Sequence, residues 1–339
     1  MSEPLTLTKK DFTSDSEVRW CPGCGDYVIL ATVQSFLPEL GIPRENVVFV
    51  SGIGCSSRFP YYLETYGMHS IHGRAPAIAT GLATTRPDLS VWVVTGDGDA
   101  LSIGGNHLIH ALRRNVNLKI LLFNNRIYGL TKGQYSPTSE PGKVTKSTPF
   151  GSVDYPFNPI SLALGADATF VARSVDFDRK HLTSVLRAAA EHQGSALVEI
   201  YQNCNIFNDG AFEPMSDAAT RDDVTIRLEH GQPIRFGADS SRGVVRRPDA
   251  TLATVDVADV GEDALLVHDA HADDPSVAFA LSRLAEPTTL RDTPIGVFRS
   301  VTKPSYDQLV NAQVATAVAD QGAGELSRLL AGNDTWVIR

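Results

Sequence analysis

Short apolar runs of strand length alternate with segments of helix length through the first two thirds of the chain. Residues 91–95 form one such run, which ends at Gly96-Asp97-Gly98-Asp99, and residues 118–123 form a second, which ends at Asn124-Asn125. A helix-length segment separates the two runs, so the pattern predicts a β-α-β unit of a parallel sheet. Both polar clusters then lie at the carboxyl ends of strands, where open α/β sheets bind their ligands.

The same alternation continues on both sides of this unit. Helical spacing of apolar residues predicts helices over 26–40, 75–84 and 181–192, and apolar runs predict strands over 47–50, 169–172 and 196–201. Residues 128–159 are dense in Pro, Gly, Ser and Thr, which predicts a long surface loop of the functional kind. The predicted fold class is α/β, with a mostly parallel sheet and helices on both of its faces.

The pattern predicts three parts along the chain. Residues 1–16 are polar and predict an N-terminal arm, residues 17–208 form the alternating α/β domain, and residues 209–339 form a C-terminal extension. We expect this extension to pack on the same domain or on a partner subunit. Within it we predict a strand over 251–257, a helix over 273–286, an Arg/Thr/Pro-rich turn region, and a helix over 306–330 that is interrupted at 321–324.

Two polar clusters at the strand ends carry candidate chemistry. Asp97 offers a carboxylate between glycines that let backbone N–H groups approach an anion, and Asn125 offers an amide oxygen close to backbone carbonyls. These are oxygen ligands of the kind that Mg²⁺ prefers, and phosphate oxygens and water would complete the coordination. A lone Gly-Asp-Gly is an ordinary turn in most proteins. The combination of both strand ends predicts a site for a Mg²⁺-bridged diphosphate.

Composition and charge narrow the class of protein. The chain has 339 residues, ordinary hydrophobic (42%) and aromatic (8%) contents, and a net charge of -9 with a pI near 5.5. An acidic chain lacks the basic face that nucleic acid requires. Neither a signal peptide nor an apolar run long enough for a membrane span is visible, so we expect a cytoplasmic protein.

The four cysteines are Cys21, Cys24, Cys55 and Cys204. Structural disulfides are improbable in a cytosolic protein. Zinc sites usually use two close pairs, whereas here one C-x-x-C pair is joined by two distant cysteines. A [4Fe–4S] cluster needs four thiolates, which the fold can bring together from separate loops. The cluster is the favoured interpretation, with zinc or ordinary buried thiols as alternatives.

Six motifs resemble one family in order and spacing. The chain is similar to the beta, thiamine-binding subunits of 2-oxoacid:ferredoxin oxidoreductases, and most similar to those that act on 2-oxoglutarate. The resemblance covers residues 17 to about 207 and rests on the following stretches: Trp20-Cys21-Pro22-Gly23-Cys24-Gly25, Gly52-Ile53-Gly54-Cys55-Ser56-Ser57, His72-Gly73-Arg74-Ala75, Gly96-Asp97-Gly98-Asp99, residues 124–134, and Ser136-Pro137-Thr138.

The resemblance implies the thiamine-diphosphate-binding fold and assigns residues to three groups. It implies that Cys21, Cys24, Cys55 and Cys204 hold one [4Fe–4S] cluster, and that Asp97, Asn125 and the carbonyl of Ile127 hold Mg²⁺. His72 is expected to contact the cofactor and to act in catalysis, although capping a turn is the simpler alternative. The remaining expected cofactor contacts are Ile53, Gly54, Cys55, Ser56, Gly96, Asp97, Gly98, Asp99, Asn125, Gly129, Leu130 and Thr131.

The reaction that the resemblance implies is oxidative decarboxylation of a 2-oxoacid, with acyl transfer to coenzyme A and electrons passed through the cluster to ferredoxin. Thiamine enzymes also need a carboxylate at the aminopyrimidine. No motif in this chain supplies it, and in the resembled family it comes from an alpha subunit, so we expect an α₂β₂ assembly that is inactive without its alpha chain.

The prediction of the substrate rests on the resemblance and on one arginine. Arg58 follows Cys55 by three positions, and its guanidinium could pair with the distal carboxylate of 2-oxoglutarate. Lys132, Arg74 and Arg126 are further basic candidates at the same edge. A pyruvate or broad-range 2-oxoacid enzyme is the alternative within the family. A non-catalytic electron-transfer subunit without thiamine diphosphate, and a zinc-stabilised interaction module, are the alternatives from other classes.

Overall fold

A computed structural model describes residues 7–336 and 338 of the chain. The strands are β1 (Val47–Ser51), β2 (Tyr66–His69), β3 (Ser90–Gly96), β4 (Lys119–Asn124), β5 (Ile127–Tyr128), β6 (Gln134–Tyr135), β7 (Phe170–Val175), β8 (Ala196–Tyr201), β9 (Thr225–Leu228), β10 (Arg235–Phe236), β11 (Arg242–Arg246), β12 (Leu252–Asp256) and β13 (Thr293–Ser300). The helices are α1 (Asp26–Phe36), α2 (Ala75–Thr85), α3 (Gly105–Arg113), α4 (Pro159–Gly165), α5 (Arg179–Glu191), α6 (Glu213–Ser216), α7 (Arg221–Val224), α8 (Val257–Val260), α9 (Ser276–Ser282), α10 (Tyr306–Gln321) and α11 (Leu326–Ala331).

Eight strands form one twisted sheet in the order β2-β1-β3-β4-β8-β7-β13-β9. All neighbouring pairs run parallel except β13 and β7, which are antiparallel. The carboxyl ends of β1, β3, β4 and β8 therefore meet at one edge, in a register that places Asn124 beside Tyr201. The predicted α/β class with a mostly parallel sheet is confirmed.

Successive residues of each central strand enter hydrophobic cores on opposite faces of the sheet. Val93 packs against α2 and α3 on one face, whereas its neighbour Trp92 packs against α1 on the other. Trp92 is fully buried and its ring stacks on Phe49. Because the side chains of a strand alternate between the faces, a strand buried on both sides is apolar throughout, which is why β1, β3, β4 and β8 were recognisable in the sequence.

The C-terminal third contributes directly to the main sheet. Residues 287–305 were predicted as an Arg/Thr/Pro-rich turn region, and this prediction was wrong, because β13 pairs there with both β7 and β9. The helix predicted over 273–286 is limited to α9, Ser276–Ser282. The interrupted C-terminal helix is confirmed as α10 and α11. Residues beyond 208 thus continue the sheet that the α/β domain begins.

The two ends of the chain differ in how they are held. The described part of the N-terminal arm, residues 7–16, forms a short 3₁₀ turn that buries Phe12 completely. At the other end, the first turn of α10 is anchored where Asp307 accepts a hydrogen bond from the backbone of Asn117, whereas residues 312–336 are all exposed. Residues 1–6, 337 and 339, which the arm and the extension were predicted to include, lie outside the described residues. None of the described helices has the length and apolar character that crossing a membrane requires.

Candidate active site

The turn after β3 presents Asp97 almost fully buried, with 3% of its surface exposed. The hydroxyls of Ser136 and Thr138 both lie at Oδ2 of this carboxylate, at 2.5 and 2.6 Å. These bonds attach the Ser136-Pro137-Thr138 segment of the long loop to the carboxyl end of β3. Burial raises the pKa of Asp97 to about 6, against the lowering effect of both hydroxyls. The arrangement holds a carboxylate in a position where a cation would stabilise its charge.

Asp99, two residues later, is 2% exposed and organises the neighbouring loops. Its Oδ1 accepts hydrogen bonds from the backbone N–H of Ile53 (3.1 Å) and of Gly73 (2.6 Å). The same oxygen accepts a bond of 2.6 Å from Nδ1 of His72, and the hydroxyl of Thr95 donates to Oδ2 at 2.6 Å. Asp99 was predicted as a cofactor contact. Its carboxylate is already occupied by four donors, so it acts by fixing loops that contribute other residues.

A tight turn after β4 orients the asparagine pair. Arg126 has a positive φ of 56°, and its N–H donates to Oδ1 of Asn124. Oδ1 of Asn125 accepts from the backbone N–H of Ile127, while its Nδ2 donates to Oε1 of Gln202 at 3.0 Å. The left-handed residue between Asn125 and Ile127 reverses the chain at the sheet edge, and strained conformations of this kind recur at functional sites.

The residues of these turns line one cavity at the edge of the sheet. Every residue predicted to contact the cofactor is among them, and so is Ile127, predicted as a backbone ligand of Mg²⁺. Two lining residues, Phe123 and Tyr128, were missed. Tyr128 packs so closely on Gly98 that a Cβ there would fall 2.1 Å from its ring, and its hydroxyl donates to the Gly98 carbonyl. The glycine before Asp99 is therefore needed for this ring to close the cavity wall.

The four cysteines line a second cavity, adjacent to the first. Cys21 and Cys24 come from the loop before α1, Cys55 from the loop after β1, and Cys204 from the loop after β8. The loops are tied together by bonds from Gly25 N–H to the Asn203 carbonyl (3.1 Å) and from the Asn205 amide to the Pro22 carbonyl (2.5 Å). The sequence predicted this convergence. The two cavities share the wall residues Cys55, Asn125, Gly129 and Leu130.

Gly129 lies close to two of the sulfur atoms. A Cβ at this position would lie 3.6 Å from Sγ of Cys204 and 3.7 Å from Sγ of Cys55. Both distances are ordinary van der Waals contacts, so the chain itself leaves room for a methyl group. What the glycine preserves is the space between the two sulfurs.

The thiols of Cys24 and Cys55 lie in largely water-excluded surroundings near the carboxyl group of Asp26. Burial, reinforced by the nearby Asp26 carboxyl, raises the pKa of Cys55 to about 12 and that of Cys24 well above its usual range. Asp26 itself is fully buried, and burial raises its pKa to about 7. Thiols in such surroundings are protonated and inert unless a metal supplies positive charge, so the site favours metal binding over free-thiol chemistry.

The basic residues that were predicted to lie near the substrate are found at different places in the structure. Arg58 and Lys132 line the cysteine cavity, and Arg58 donates to the carbonyl of Arg19 at 2.8 Å. Arg126 is buried with its guanidinium over the rings of Tyr201 and Phe212, and Arg74 contacts His107 at the surface. Of the described arginines and lysines, none lines the first cavity. Arg58, predicted to bind a substrate carboxylate, thus lies on the side of the sulfurs.

A parallel sheet whose strand ends present Asp97 and Asn125 around one cavity offers oxygen ligands for a cation-bridged diphosphate. The family model of the thiamine pyrophosphate enzyme C-terminal, TPP-binding domain matches residues 52–200, which span all of these strand ends. The prediction of a thiamine-diphosphate-binding domain is therefore confirmed.

Relatives narrow the class further. The chain is 66% identical, over 97% of its length and 88% of the relative's, to 2-oxoglutarate oxidoreductase subunit KorB of Mycobacterium tuberculosis. It is 47% identical to a 2-oxoacid:ferredoxin oxidoreductase subunit beta of Sulfolobus, over 56% of this chain and 63% of that one. A solved structure of 2-oxoglutarate:ferredoxin oxidoreductase from Magnetococcus marinus, with 2-oxoglutarate, coenzyme A and succinyl-CoA bound, matches with a TM-score of 0.76 and 33% identity over 97% of both chains.

The chain belongs to the family of beta subunits of 2-oxoglutarate:ferredoxin oxidoreductases. This confirms the resemblance drawn from the motifs, including its preference for the 2-oxoglutarate branch over the pyruvate branch. The alternative of a subunit that binds no thiamine diphosphate finds no support, because the thiamine-binding domain is present.

Proposed function

We propose that this chain, together with an alpha subunit, converts 2-oxoglutarate, coenzyme A and oxidised ferredoxin into succinyl-CoA, CO₂ and reduced ferredoxin. The observation that carries the proposal is the shared wall of the two cavities. Cys55, Asn125, Gly129 and Leu130 belong to both the thiamine-type cavity and the four-cysteine cavity. An oxidation carried out in the first cavity thus has an electron acceptor site next to it. The names of the Mycobacterium tuberculosis relative and of the Magnetococcus marinus structure support the choice of substrate.

The first cavity fits thiamine diphosphate and Mg²⁺. Asp97, Asn125 and the carbonyl of Ile127 would hold the ion, and Gly96 and Gly98 would let the backbone approach the diphosphate. Ser136 and Thr138 fix Oδ2 of Asp97, which leaves Oδ1 for the metal. When bound, the cofactor supplies the electron sink for loss of CO₂. The chain's own contribution is to anchor and orient it.

The second cavity suits a [4Fe–4S] cluster. Its four cysteines reach one cavity from three separate loops, as the ligands of such a cluster can. We therefore assign Cys21, Cys24, Cys55 and Cys204 as the cluster ligands. Bound iron would supply the positive charge that Cys24 and Cys55, the two thiols whose pKa burial raises, need for deprotonation.

His72 is the candidate for handling a proton in the first cavity. Its Nδ1 lies 2.6 Å from the buried Asp99 carboxylate, so Nδ1 carries the proton and donates it. The other ring nitrogen, Nε2, is then left free on a side chain that lines the cavity. Asp99 thereby sets the tautomer and the orientation of His72. This geometry gives the histidine more than the role of capping a turn.

An alpha subunit would supply what the cavity lacks. Within the described residues, the carboxylates that line the cavity are Asp97 and Asp99, and both are held by donors of this chain. A carboxylate for the aminopyrimidine must then come from another subunit. Large apolar side chains next to cavity residues are also exposed, as surface destined for a partner is: Ile71 (70%), Ile103 (51%) and Leu130 (43%). We propose an α₂β₂ assembly.

The role of Arg58 remains a prediction with two outcomes. Its position beside the sulfurs suits a cation that stabilises cluster charge, while its exposed edge could also meet a substrate carboxylate supplied across the subunit boundary. Turnover of 2-oxoglutarate and pyruvate by Arg58→Ala and Arg58→Lys separates these roles. Lost discrimination at unchanged iron content indicates substrate binding. Lost iron, or a shifted cluster potential at unchanged discrimination, indicates the electrostatic role.

The experiment that tests the proposal is anaerobic EPR on this chain copurified with its alpha subunit. A reduced-cluster signal that appears with 2-oxoglutarate and coenzyme A, and only weakly with pyruvate, is the expected result. A signal with pyruvate alone would overturn the substrate assignment and leave the cofactor assignments intact. A preparation that contains zinc rather than iron, and gives no signal with dithionite, would overturn the assignment of the four cysteines.

A further inference from the structure

Gln202 connects the two cavities, although neither the motifs nor the resemblance singled it out. It follows β8 directly, just as Asn125 follows β4, and these parallel strands are paired up to Asn124 and Tyr201. The next residue on each strand is therefore a neighbour across the sheet edge. Gln202 is 1% exposed, and its side-chain amide lies between the asparagine and the cysteine loop.

The hydrogen bonds of Gln202 fix which way its amide points. Nε2 lies 2.5 Å from the carbonyl of Asn203 and 3.3 Å from Sγ of Cys24. Both of these partners are acceptors, and only the NH₂ end of an amide can donate to them. Oε1 must therefore face the opposite side, where it accepts from Nδ2 of Asn125 at 3.0 Å.

The orientation of the Gln202 amide determines the orientation of the Asn125 amide. Because Nδ2 of Asn125 is turned toward Gln202, its Oδ1 is turned away from Gln202 and accepts a hydrogen bond from the N–H of Ile127, another residue that lines the first cavity. An amide can ligate Mg²⁺ only through its oxygen. A flipped Asn125 would place two N–H groups at the cation site and would remove a ligand.

We infer that Gln202 is a positioning residue with two tasks: it holds the oxygen of Asn125 toward Mg²⁺, and it donates an N–H···S hydrogen bond to Cys24. The inference rests on the proposed function, in which Asn125 is a metal ligand and Cys24 a cluster ligand. A hydrogen bond to a ligating sulfur withdraws electron density from it and raises the cluster's reduction potential. One buried amide thus tunes the electron acceptor and orients the cofactor anchor.

The test uses the complete enzyme with its alpha subunit and two variants, Gln202→Leu and Gln202→Glu. Leucine removes both hydrogen bonds, whereas glutamate still accepts from Asn125 but cannot donate to Cys24 when ionised. EPR-monitored redox titration reads the cluster potential, and calorimetric titration with thiamine diphosphate at stepped Mg²⁺ concentrations reads the cation site. Neither readout requires turnover.

We expect both variants to lower the cluster potential, and Gln202→Glu to lower it more because it adds negative charge. We expect Gln202→Leu to weaken apparent Mg²⁺ affinity by about 10-fold or more, as loss of a residue that orients a metal ligand does, and Gln202→Glu to weaken it less. The matched control is Gln34→Leu, since Gln34 is also buried and donates to the carbonyl of Tyr62 at 3.0 Å. It should change neither quantity.

Unchanged potentials in both variants, at wild-type iron content, would overturn the N–H···S part of the inference. Unchanged Mg²⁺ affinity in Gln202→Leu would overturn the orientation of Asn125. If the leucine variant fails to fold, the glutamate variant still decides both parts. A loss of apparent Mg²⁺ affinity of about 10-fold or more in Gln202→Glu would contradict the second part, because glutamate still accepts from Asn125. Absence of iron or thiamine diphosphate from the wild-type enzyme would instead be a failure of the proposed function, and wild-type analysis detects it beforehand.

Discussion

Asp97 and Asp99 are two positions apart in one turn, yet their carboxylates have opposite surroundings. Asp99 accepts four hydrogen bonds from Ile53, His72, Gly73 and Thr95, whereas the oxygen Oδ1 of Asp97 is left free of the two hydroxyls that hold Oδ2. The hydrogen-bonding capacity of the Asp99 carboxylate is used by the protein itself, whereas we propose that the Asp97 carboxylate binds a ligand. The Gly-Asp-Gly-Asp sequence therefore combines a carboxylate that fixes loops with one that we propose binds the cation.

This contrast predicts that a substitution at Asp99 mainly lowers stability, whereas a substitution at Asp97 mainly weakens binding of the cofactor. Asp99→Ala leaves four donors without their acceptor and should destabilise the chain by about 3–5 kcal/mol. Asp97→Asn retains an acceptor for Ser136 and Thr138 and removes a buried charge, so its melting temperature without cofactor should equal or exceed that of the wild type. Its Mg²⁺-dependent binding of thiamine diphosphate should nevertheless fall by about 100-fold. Thermal unfolding and calorimetric titration measure the two effects.

The control for this pair is Asp99→Asn, which keeps Oδ1 as an acceptor and should lose much less stability than Asp99→Ala. If Asp97→Asn were the more destabilised of the two asparagine variants, the division of roles between these carboxylates would be wrong.

Gly129→Ala tests the space between the two sulfurs. The added Cβ would make only van der Waals contacts with Sγ of Cys55 and Cys204, at 3.7 and 3.6 Å, so the chain without its cofactors should keep its stability. The methyl group would occupy space at the cluster site, and iron and sulfide content should therefore fall, to about half or less of the wild-type value. Metal analysis of the anaerobically purified complex checks this.

Gly81→Ala is the matched control, because a Cβ at Gly81 in α2 meets no atom within 4 Å. This variant should retain full iron content and gain slightly in stability, since alanine favours helix more than glycine does. Full iron content in Gly129→Ala as well would show that the cluster lies elsewhere.

Two half-buried histidines make part of the free energy of unfolding sensitive to acid. Burial lowers the pKa of His181, which lies near Arg227, and of His192, which lies near Lys119, to about 4 in each case. An unfolded histidine titrates near 6.5, so between pH 6.5 and 4 the unfolded chain binds protons that the folded chain does not. Their contribution is thus complete above pH 6.5 and is lost as the pH falls, by about 2 kcal/mol together after allowance for partial exposure.

Burial raises the pKa of Asp26 and Asp97, which works in the opposite direction, so the measurement must be a difference. Unfolding free energies of the wild type and of the His181→Gln, His192→Gln double variant are compared from pH 7.5 to 4.5. The wild type should lose stability relative to the variant as the pH falls. A difference that is independent of pH would contradict the neutral state of these histidines in the folded chain.

The cofactor cavity was predictable from sequence because its residues are local to strand ends. Strands β3, β4 and β8 are apolar on both faces, and the polar residue that follows each of them marks the same edge. The convergence of distant cysteines followed from the same reasoning for Cys55 and Cys204, which lie in the loops that follow β1 and β8. For these residues, the local sequence pattern and the sheet topology predict the same location.

Other parts of the structure are determined by contacts with residues that are distant in the sequence, and these could not be predicted. Strand β13 contains Pro294 and Gly296 and buries Arg299, whose charge is neutralised by Asp167. No local pattern reveals such a pairing, so this strand was read as a turn region. Gln202 was missed for the same reason, because its proposed role depends on an acceptor, Cys24, and a donor, Asn125, that other loops contribute. Buried polar residues become informative only when their partners are known.

The C-terminal tail should be dispensable for the fold of this chain and needed for its assembly. Residues 322–336 are exposed throughout, and among them Leu326, Leu329, Leu330 and Trp336 present large apolar surfaces. Deletion of residues 322–339 should therefore change the melting temperature of the isolated chain by less than about 1 °C. Deletion from Gly237 onward should prevent folding, because it removes β13 from the main sheet. Analytical ultracentrifugation with the alpha subunit should show weaker assembly of the short truncation. Unchanged assembly would show that the tail does not bind the partner, and a lower melting temperature would show that it packs on its own chain.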